Sequence, residues 1–172
     1  MKNMTKENNR NACRGKTAEG WVYGNYVKAS GKHGYIIGGF WNPKYNESED
    51  VSHADCVCHK VNNASVGMLT EVPDIKGRLI YEGDILKRNN NDMDLVEICL
   101  GEFIVYNVEE EAPIETVYGF YQKVITTDAL STVEPFCLPL ALNKDWVKMA
   151  QLEIIGNTTD NPELMKGNES CQ

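Results

Sequence analysis

Apolar residues in this chain come in short aromatic and β-branched runs, cut at close intervals by glycine, asparagine, aspartate and proline. That spacing constrains the fold more than any other feature. Trp21-Val22-Tyr23-Gly24-Asn25-Tyr26-Val27 and Tyr35-Ile36-Ile37 flank the turn-forming Ser30-Gly31-Lys32-His33-Gly34, which predicts a hairpin. After a polar stretch from Asn42 to Asp50 comes a short strand expected over Asp55–Val61. Asp74-Ile75-Lys76-Gly77 turns into the run Arg78-Leu79-Ile80-Tyr81, and Glu82-Gly83-Asp84 supplies a second tight bend before Ile85-Leu86-Lys87. Aspartate holds such bends by accepting from nearby backbone amides, and glycine takes the φ that other residues avoid. Leu95–Leu100 and Phe103–Val108 are expected as two strands joined through Gly101-Glu102. Tyr118–Ile125 and Leu152–Ile155 complete the expected strands.

Helix signals are few. Asn143 can cap a two-turn helix through Ala150, and Asn161-Pro162-Glu163 places a cap, a proline at the first helical position and an acid in the first turn. The expected fold class is therefore mainly β. It comprises an N-terminal β-hairpin region over residues 18–64, a small antiparallel β-barrel, SH3-like in its strand-turn-strand spacing, over 65–166, and short helices. Residues 1–17 are almost devoid of apolar side chains and are expected as a disordered basic arm, with 167–172 as a tail.

Charge is distributed unevenly. The formal net charge is −8, but residues 1–32 carry seven Lys/Arg against two Glu, and the remainder ten against 23 acids. A body near −13 repels phosphate backbones, so nucleic acid is an unfavoured partner and only the arm suits it. No basic residue occurs from Asn89 to Gln122, a span holding Asp92, Asp94, Glu97, Glu102, Glu109-Glu110-Glu111 and Glu115. That span is a solvated face, a docking surface for a basic partner or a DNA-mimicking face. No stretch has the roughly 20 apolar residues of a membrane span, and the N-terminus lacks the apolar core of a secretory signal, so the expected location is the cytoplasm. In that reducing setting the six cysteines are read as thiols.

His53-Ala54-Asp55-Cys56-Val57-Cys58-His59 gathers soft-metal ligands in seven residues. Structural zinc sites pair cysteines two to four residues apart with a distant second pair. Here Cys13, Cys99, Cys137 and Cys171 stand alone, so half-buried strand is the favoured reading and no metal or cofactor is expected. Glu82 and Asp84 have the residue types of an acid/base pair, but a turn explains them. With three histidines, two of them in the cluster, no nucleophile arrangement can be assembled. No enzyme is expected. A small metal-dependent enzyme using the cluster, and a nucleic-acid binder using the arm, are the alternatives.

Two stretches resemble a known family. Val66-Gly67-Met68-Leu69-Thr70, continuing through Asp74, Gly77, Leu79-Ile80-Tyr81-Glu82-Gly83-Asp84-Ile85 and Lys87, is similar to the central signature of the YopX-like phage and prophage proteins. Leu152-Glu153-Ile154-Ile155-Gly156-Asn157 with Asn161-Pro162-Glu163-Leu164 is similar to their closing signature, and Trp21-Val22-Tyr23-Gly24 to their N-terminal strand. Where that family usually has Gln, an aromatic and later Gly-Leu, this chain has Met68, Leu69, Glu71-Val72 and Pro73, which implies a loop of different shape. The resemblance implies a phage-derived gene, a mostly β fold and self-assembly, and it implies no reaction; a phage or host protein is a further candidate partner. Independently, Tyr23–Val27 and Tyr35–Phe40 are apolar and nearly uncharged, and are expected to be sheet edges that a second copy covers, giving a homo-oligomer.

Overall fold

The computed structural model describes residues 13–29, 31–38, 58–107, 112–127 and 138–166. They fall into two compact units, Met1–Leu69 and Thr70–Gln172.

In the first unit, β1 (Cys13–Lys16), β2 (Trp21–Lys28), β3 (His33–Ile37), β4 (Cys58–Asn62) and the start of β5 (Gly67–Pro73) form an antiparallel sheet in the order β4-β3-β2-β1-β5. The predicted hairpin is β2–β3, with Tyr26 opposite Ile36 and Val27 opposite Tyr35. Side chains alternate faces along a strand. One face carries the buried Cys13, Ile36 and Val61, with Val22, Tyr26 and Val66 packed against them. Gly34 is required there, because a Cβ would stand 2.4 Å from the Tyr26 ring. That ring crosses Gly34 so that its hydroxyl donates to Asn63 Oδ1 at 2.9 Å.

Two expectations are corrected here. The arm expected over residues 1–17 does not extend that far, because Cys13–Lys16 is an interior strand paired on both sides, to β2 and to β5. Its sequence, Cys-Arg-Gly-Lys, has no apolar run; its neighbours supply the hydrogen bonds, and Trp21 receives its cations, with Arg14 Cζ 4.6 Å and Lys16 Nζ 5.2 Å from the ring centroid. Nor are β2 and β3 edges, since each has a strand on both sides. Their low charge reflects two ladders of hydrogen bonds rather than an open one.

In the second unit, Thr70 Oγ1 donates to Ile80 O at 2.9 Å, fastening the end of β5 to β6 (Leu79–Tyr81). Beyond it lies a five-stranded antiparallel sheet in the order β10-β9-β8-β7-β11, from β7 (Asp84–Arg88), β8 (Asn91–Asn107), β9 (Ala112–Thr126), β10 (Leu140–Ala141) and β11 (Glu153–Asn157). Its apolar face and the helix α1 (Lys144–Met149) enclose Ile80, Leu86, Val96, Ile98, Val147, Ala150 and Leu152. The helix starts as predicted, with Asn143 Oδ1 accepting from Trp146 N at 2.7 Å. The Trp146 indole then donates to Gln122 Oε1 at 3.1 Å, giving a partner to an amide that is 1 % exposed. Arg88 and Asp94 form a buried ion pair, Nε to Oδ1 at 2.9 Å, beside a turn whose Asn89 and Asn90 both take positive φ. That is the twist a two-residue hairpin needs, and asparagine tolerates it.

The barrel is a further correction. Among the described residues β10 and β11 are the outer strands of an open sheet, and no closed barrel is found. Gly101-Glu102 is not a turn either: β8 runs through it, with Gly101 opposite Gly119 and Glu102 opposite Tyr118. Facing glycines let two strands pass without side-chain demands, so the glycine that reads as a break is a rung of the ladder. Among the described residues no helix is long and apolar enough to cross a membrane.

Truncating a core side chain should be costly in proportion to burial. Ile98, fully buried, is expected to lose about 2–5 kcal/mol on replacement by Ala, whereas Met149→Ala, 67 % exposed on α1, should stay within about 0.5 kcal/mol; urea unfolding measures both.

Candidate functional site

The central and closing signatures meet around one carboxylate. Asp74, buried at the end of β5, accepts at Oδ1 from Lys76 N (2.9 Å) and Arg78 N (2.8 Å). Its Oδ2 accepts from Arg78 Nε (2.9 Å) and from Ile154 N of β11 (3.2 Å). Arg78 also donates to Ile154 O at 2.7 Å, and Ile75 N to Leu152 O at 2.9 Å. Gly77 takes φ +82° to close this turn, as the Asp-x-x-Gly spacing predicts.

The Glu82-Gly83-Asp84 bend is joined to the same strand. Asp84, 1 % exposed, accepts from Tyr81 N at 2.8 Å. Gly83, with φ +79°, donates its N–H to Ile98 O at 2.8 Å and accepts from Thr158 N at 2.9 Å. Buried Tyr81 and half-buried Glu82 flank the bend. Beyond β11, Asn157 Oδ1 accepts from Thr159 N and Asp160 N, and Asn161 Oδ1 accepts from Asn157 N at 3.3 Å. Asn161 therefore turns its side chain back onto β11 rather than capping the segment Pro162–Met165, which is one 3-10 turn and not an α-helix. Gly156 leaves room for this, since a Cβ would meet Asn161 Oδ1 at 2.4 Å. Gly67 is buried in β5 opposite Arg14.

These residues are placed for support. Asp84 is spent on a backbone amide and nearly excluded from solvent, which is poor geometry for moving a substrate proton.

Of the histidine and cysteine cluster, His53, Asp55 and Cys56 lie outside the described residues, while Cys58 and His59 begin β4 and alternate in face. Cys99 is the thiol whose setting is defined by its surroundings: burial first, and then Glu97, push its pKa up to about 11. Such a thiol is protonated at neutral pH and is a weak nucleophile.

A different surface has the character of a binding site, and no motif in the sequence marks it. Beyond Leu100 and Phe120 the described parts of β8 and β9 pair only with each other, while β7 reaches Glu97 and β10 reaches Tyr121. This two-stranded ribbon, Gly101–Asn107 against Ala112–Gly119, runs for about 20 Å at some 3.3 Å per residue. The cross-strand pairs Ile98–Gln122, Leu100–Phe120, Glu102–Tyr118 and Ile104–Thr116 share one face. The core face of the sheet thus continues outward along the ribbon, where Ile104 is 40 % and Tyr118 72 % exposed. Ile114, 61 % exposed, lies where the ladder shifts register between Val105 and Tyr106. Phe103, by contrast, is buried and stacks on Tyr121 with ring centroids 4.9 Å apart. It lines a cleft of about 260 Å³ with Val105, Leu138, Leu140, Asn143 and Trp146, below the roughly 300–1,000 Å³ of sites for drug-sized ligands. The signal for the ribbon was present as apolar residues continuing past Gly101, but the glycine masked it.

The Asp74 linkage should be visible in the pH dependence of stability. Burial raises the pKa of this carboxyl, but donation from the Arg78 and Ile154 amides and the Arg78 guanidinium outweighs burial and holds it below the ordinary 3.8. A carboxyl with a depressed folded-state value contributes stability that is complete above the unfolded value and is lost as pH falls through the folded one. Asp74→Asn is therefore expected to cost roughly 1–3 kcal/mol at pH 7, with the gap to wild type narrowing below about pH 4; urea midpoints across pH 3–7 measure it. Gly83→Val, forcing a branched residue to positive φ with Thr158 Oγ1 3.1 Å from its Cβ, should cost roughly 1–3 kcal/mol by thermal unfolding.

No curated protein matches this chain. The family described as YopX protein matches residues 16–166, from the end of β1 to the 3-10 turn after β11 and so through both signatures and the ribbon; the chain belongs to the YopX family.

Proposed function

We propose that the protein is a non-enzymatic accessory protein of a phage or prophage, working in the cytoplasm of the bacterial host by binding protein and by assembling with copies of itself. The observation that carries this reading is the β8–β9 ribbon. A two-stranded ribbon on its own is marginally stable in water, and this one exposes Ile104, Ile114 and Tyr118 along edges that have no partner strand among the described residues. Open edges and exposed apolar side chains are what proteins cover by association. Covering these three side chains contributes on the order of 1–3 kcal/mol apiece, enough to offset much of the cost of ordering two chains. Glu102 stands opposite Tyr118 in the same stripe, and Glu115, opposite Val105, lies on the other face.

Light scattering coupled to size exclusion at micromolar concentration is expected to give a mass at least twice 19.3 kDa. Ile104→Ser with Tyr118→Ser should reduce it toward the single-chain mass with an unchanged far-UV circular dichroism spectrum. A wild-type protein that stays at 19.3 kDa across a hundredfold concentration range contradicts the proposal.

A further inference from the structure

We infer that the outward face of the first sheet binds single-stranded nucleic acid, stacking bases on its aromatic rings and holding phosphates with its lysines; this is independent of the self-association proposed above. The alternation that buries Cys13, Ile36 and Val61 on one face sends His33 and Tyr35 of β3 to the other, with Tyr23, Asn25 and Val27 of β2. Tyr35 stands between Val27 on one side and Lys60 on the other. Tyr23 is 55 %, Val27 47 % and Tyr35 40 % exposed, and His33 and Lys60 are exposed beside them. His33 and Tyr35 lie two residues apart on one strand, so their rings leave the sheet about 6.6 Å apart. Histidine and tyrosine are both rings on which unpaired bases stack.

Charge selects the occupant. The described residues of the first unit carry Arg14, Lys16, Lys28, Lys32 and Lys60 against a single acid, Glu19. Glu19 lies in the connection between β1 and β2, so β1–β4 contain no carboxylate at all. Of the cations, Arg14 is 9 % exposed and is held against Trp21, so it braces the sheet rather than meeting a ligand. Lys60 shares the face of Tyr35, and Lys28 and Lys32 stand exposed at the turn end of the β2–β3 hairpin. Exposed rings among cations, with no acid between them, are what a single strand requires: every base has a π face and every phosphate a charge. A duplex offers its phosphates but keeps its bases stacked on one another, so it leaves the rings of the sheet without a use. The whole chain carries −8, but salt screens exposed charges beyond about 8 Å, and a phosphate at Lys60 responds mainly to the basic sheet beneath it.

Fluorescence anisotropy of a labelled oligothymidine titrated with the full chain tests this. Wild type is expected to bind the single strand about tenfold or more tightly than a duplex of the same length, and to bind oligouridine comparably, because stacking does not read the sugar. Tyr35→Ala is expected to weaken binding about tenfold, the loss of one stacked base, while Tyr35→Phe keeps the ring and retains affinity. Lys60→Gln is expected to reduce the slope of log affinity against log salt by about 0.7, the share of one phosphate contact on a single strand. Far-UV circular dichroism checks that each variant folds; where Tyr35→Ala does not, the salt slope of Lys60→Gln carries the test. Three results overturn the proposal: no binding of oligothymidine at low salt, equal affinity for the duplex, or binding that both Tyr35→Ala and Lys60→Gln leave unchanged, which puts the strand elsewhere on the chain. Binding of oligouridine without oligothymidine moves recognition to the 2′-hydroxyl and overturns it too. A Tyr35→Ala variant that loses oligomer mass while keeping its oligothymidine affinity assigns the face to a protein contact instead. The mass of the wild-type protein bears on self-association alone, so the two readings fail separately.

Discussion

The second unit depends on what Asp74 does with two oxygens. A carboxylate taken out of water is costly unless its acceptor sites are filled, and here four donors fill them: three from the turn it begins and one from β11, some 80 residues further on. The turn cannot keep its shape without the carboxylate, and the carboxylate cannot stay buried without β11. Arg78 reinforces both by reaching Ile154 O. A local turn and a distant strand become one cooperative element, which is why the central and closing signatures of the sequence belong together although they are far apart along the chain.

That linkage explains how much of the molecule the sequence revealed. Features decided within a few residues were legible: the β2–β3 hairpin from its flanking aromatic runs, the Asp-x-x-Gly turn from its spacing, α1 from Asn143. Features decided by distant partners were not. Cys13–Lys16 is a strand because β2 and β5 offer hydrogen bonds on both sides, and nothing in Cys-Arg-Gly-Lys announces that. Gly101 reads as a break in isolation and is a rung when Gly119 stands opposite it. Asn161 has the composition of a cap, yet its oxygen is claimed by Asn157 N. In the surface proposed for binding, Glu102 was legible as charge. The apolar stripe it belongs to was not, because its face is defined only once the register between β8 and β9 is known.

The charge of the chain is divided along its length. A net charge of −8 combines a basic beginning with an acidic remainder, and salt screens the interaction of exposed charges beyond about 8 Å.

The place of β1 has a consequence for synthesis. The strand leaves the ribosome before any other described element, yet it lies inside its sheet. Lys16 N must wait for Ser65 Oγ, 49 residues later, to receive its hydrogen-bond partner at 2.8 Å, and Cys13 waits for Met68. Until then β1 has one neighbour instead of two, and the β2–β3 hairpin holds it by β2 alone. The pairing of β1 is therefore complete only once β5 has been made and fills the side of β1 left open. For that interval the nascent chain presents an unpaired interior edge, which makes the arrival of residues 65–69 the event that ends its exposure to wrong partners.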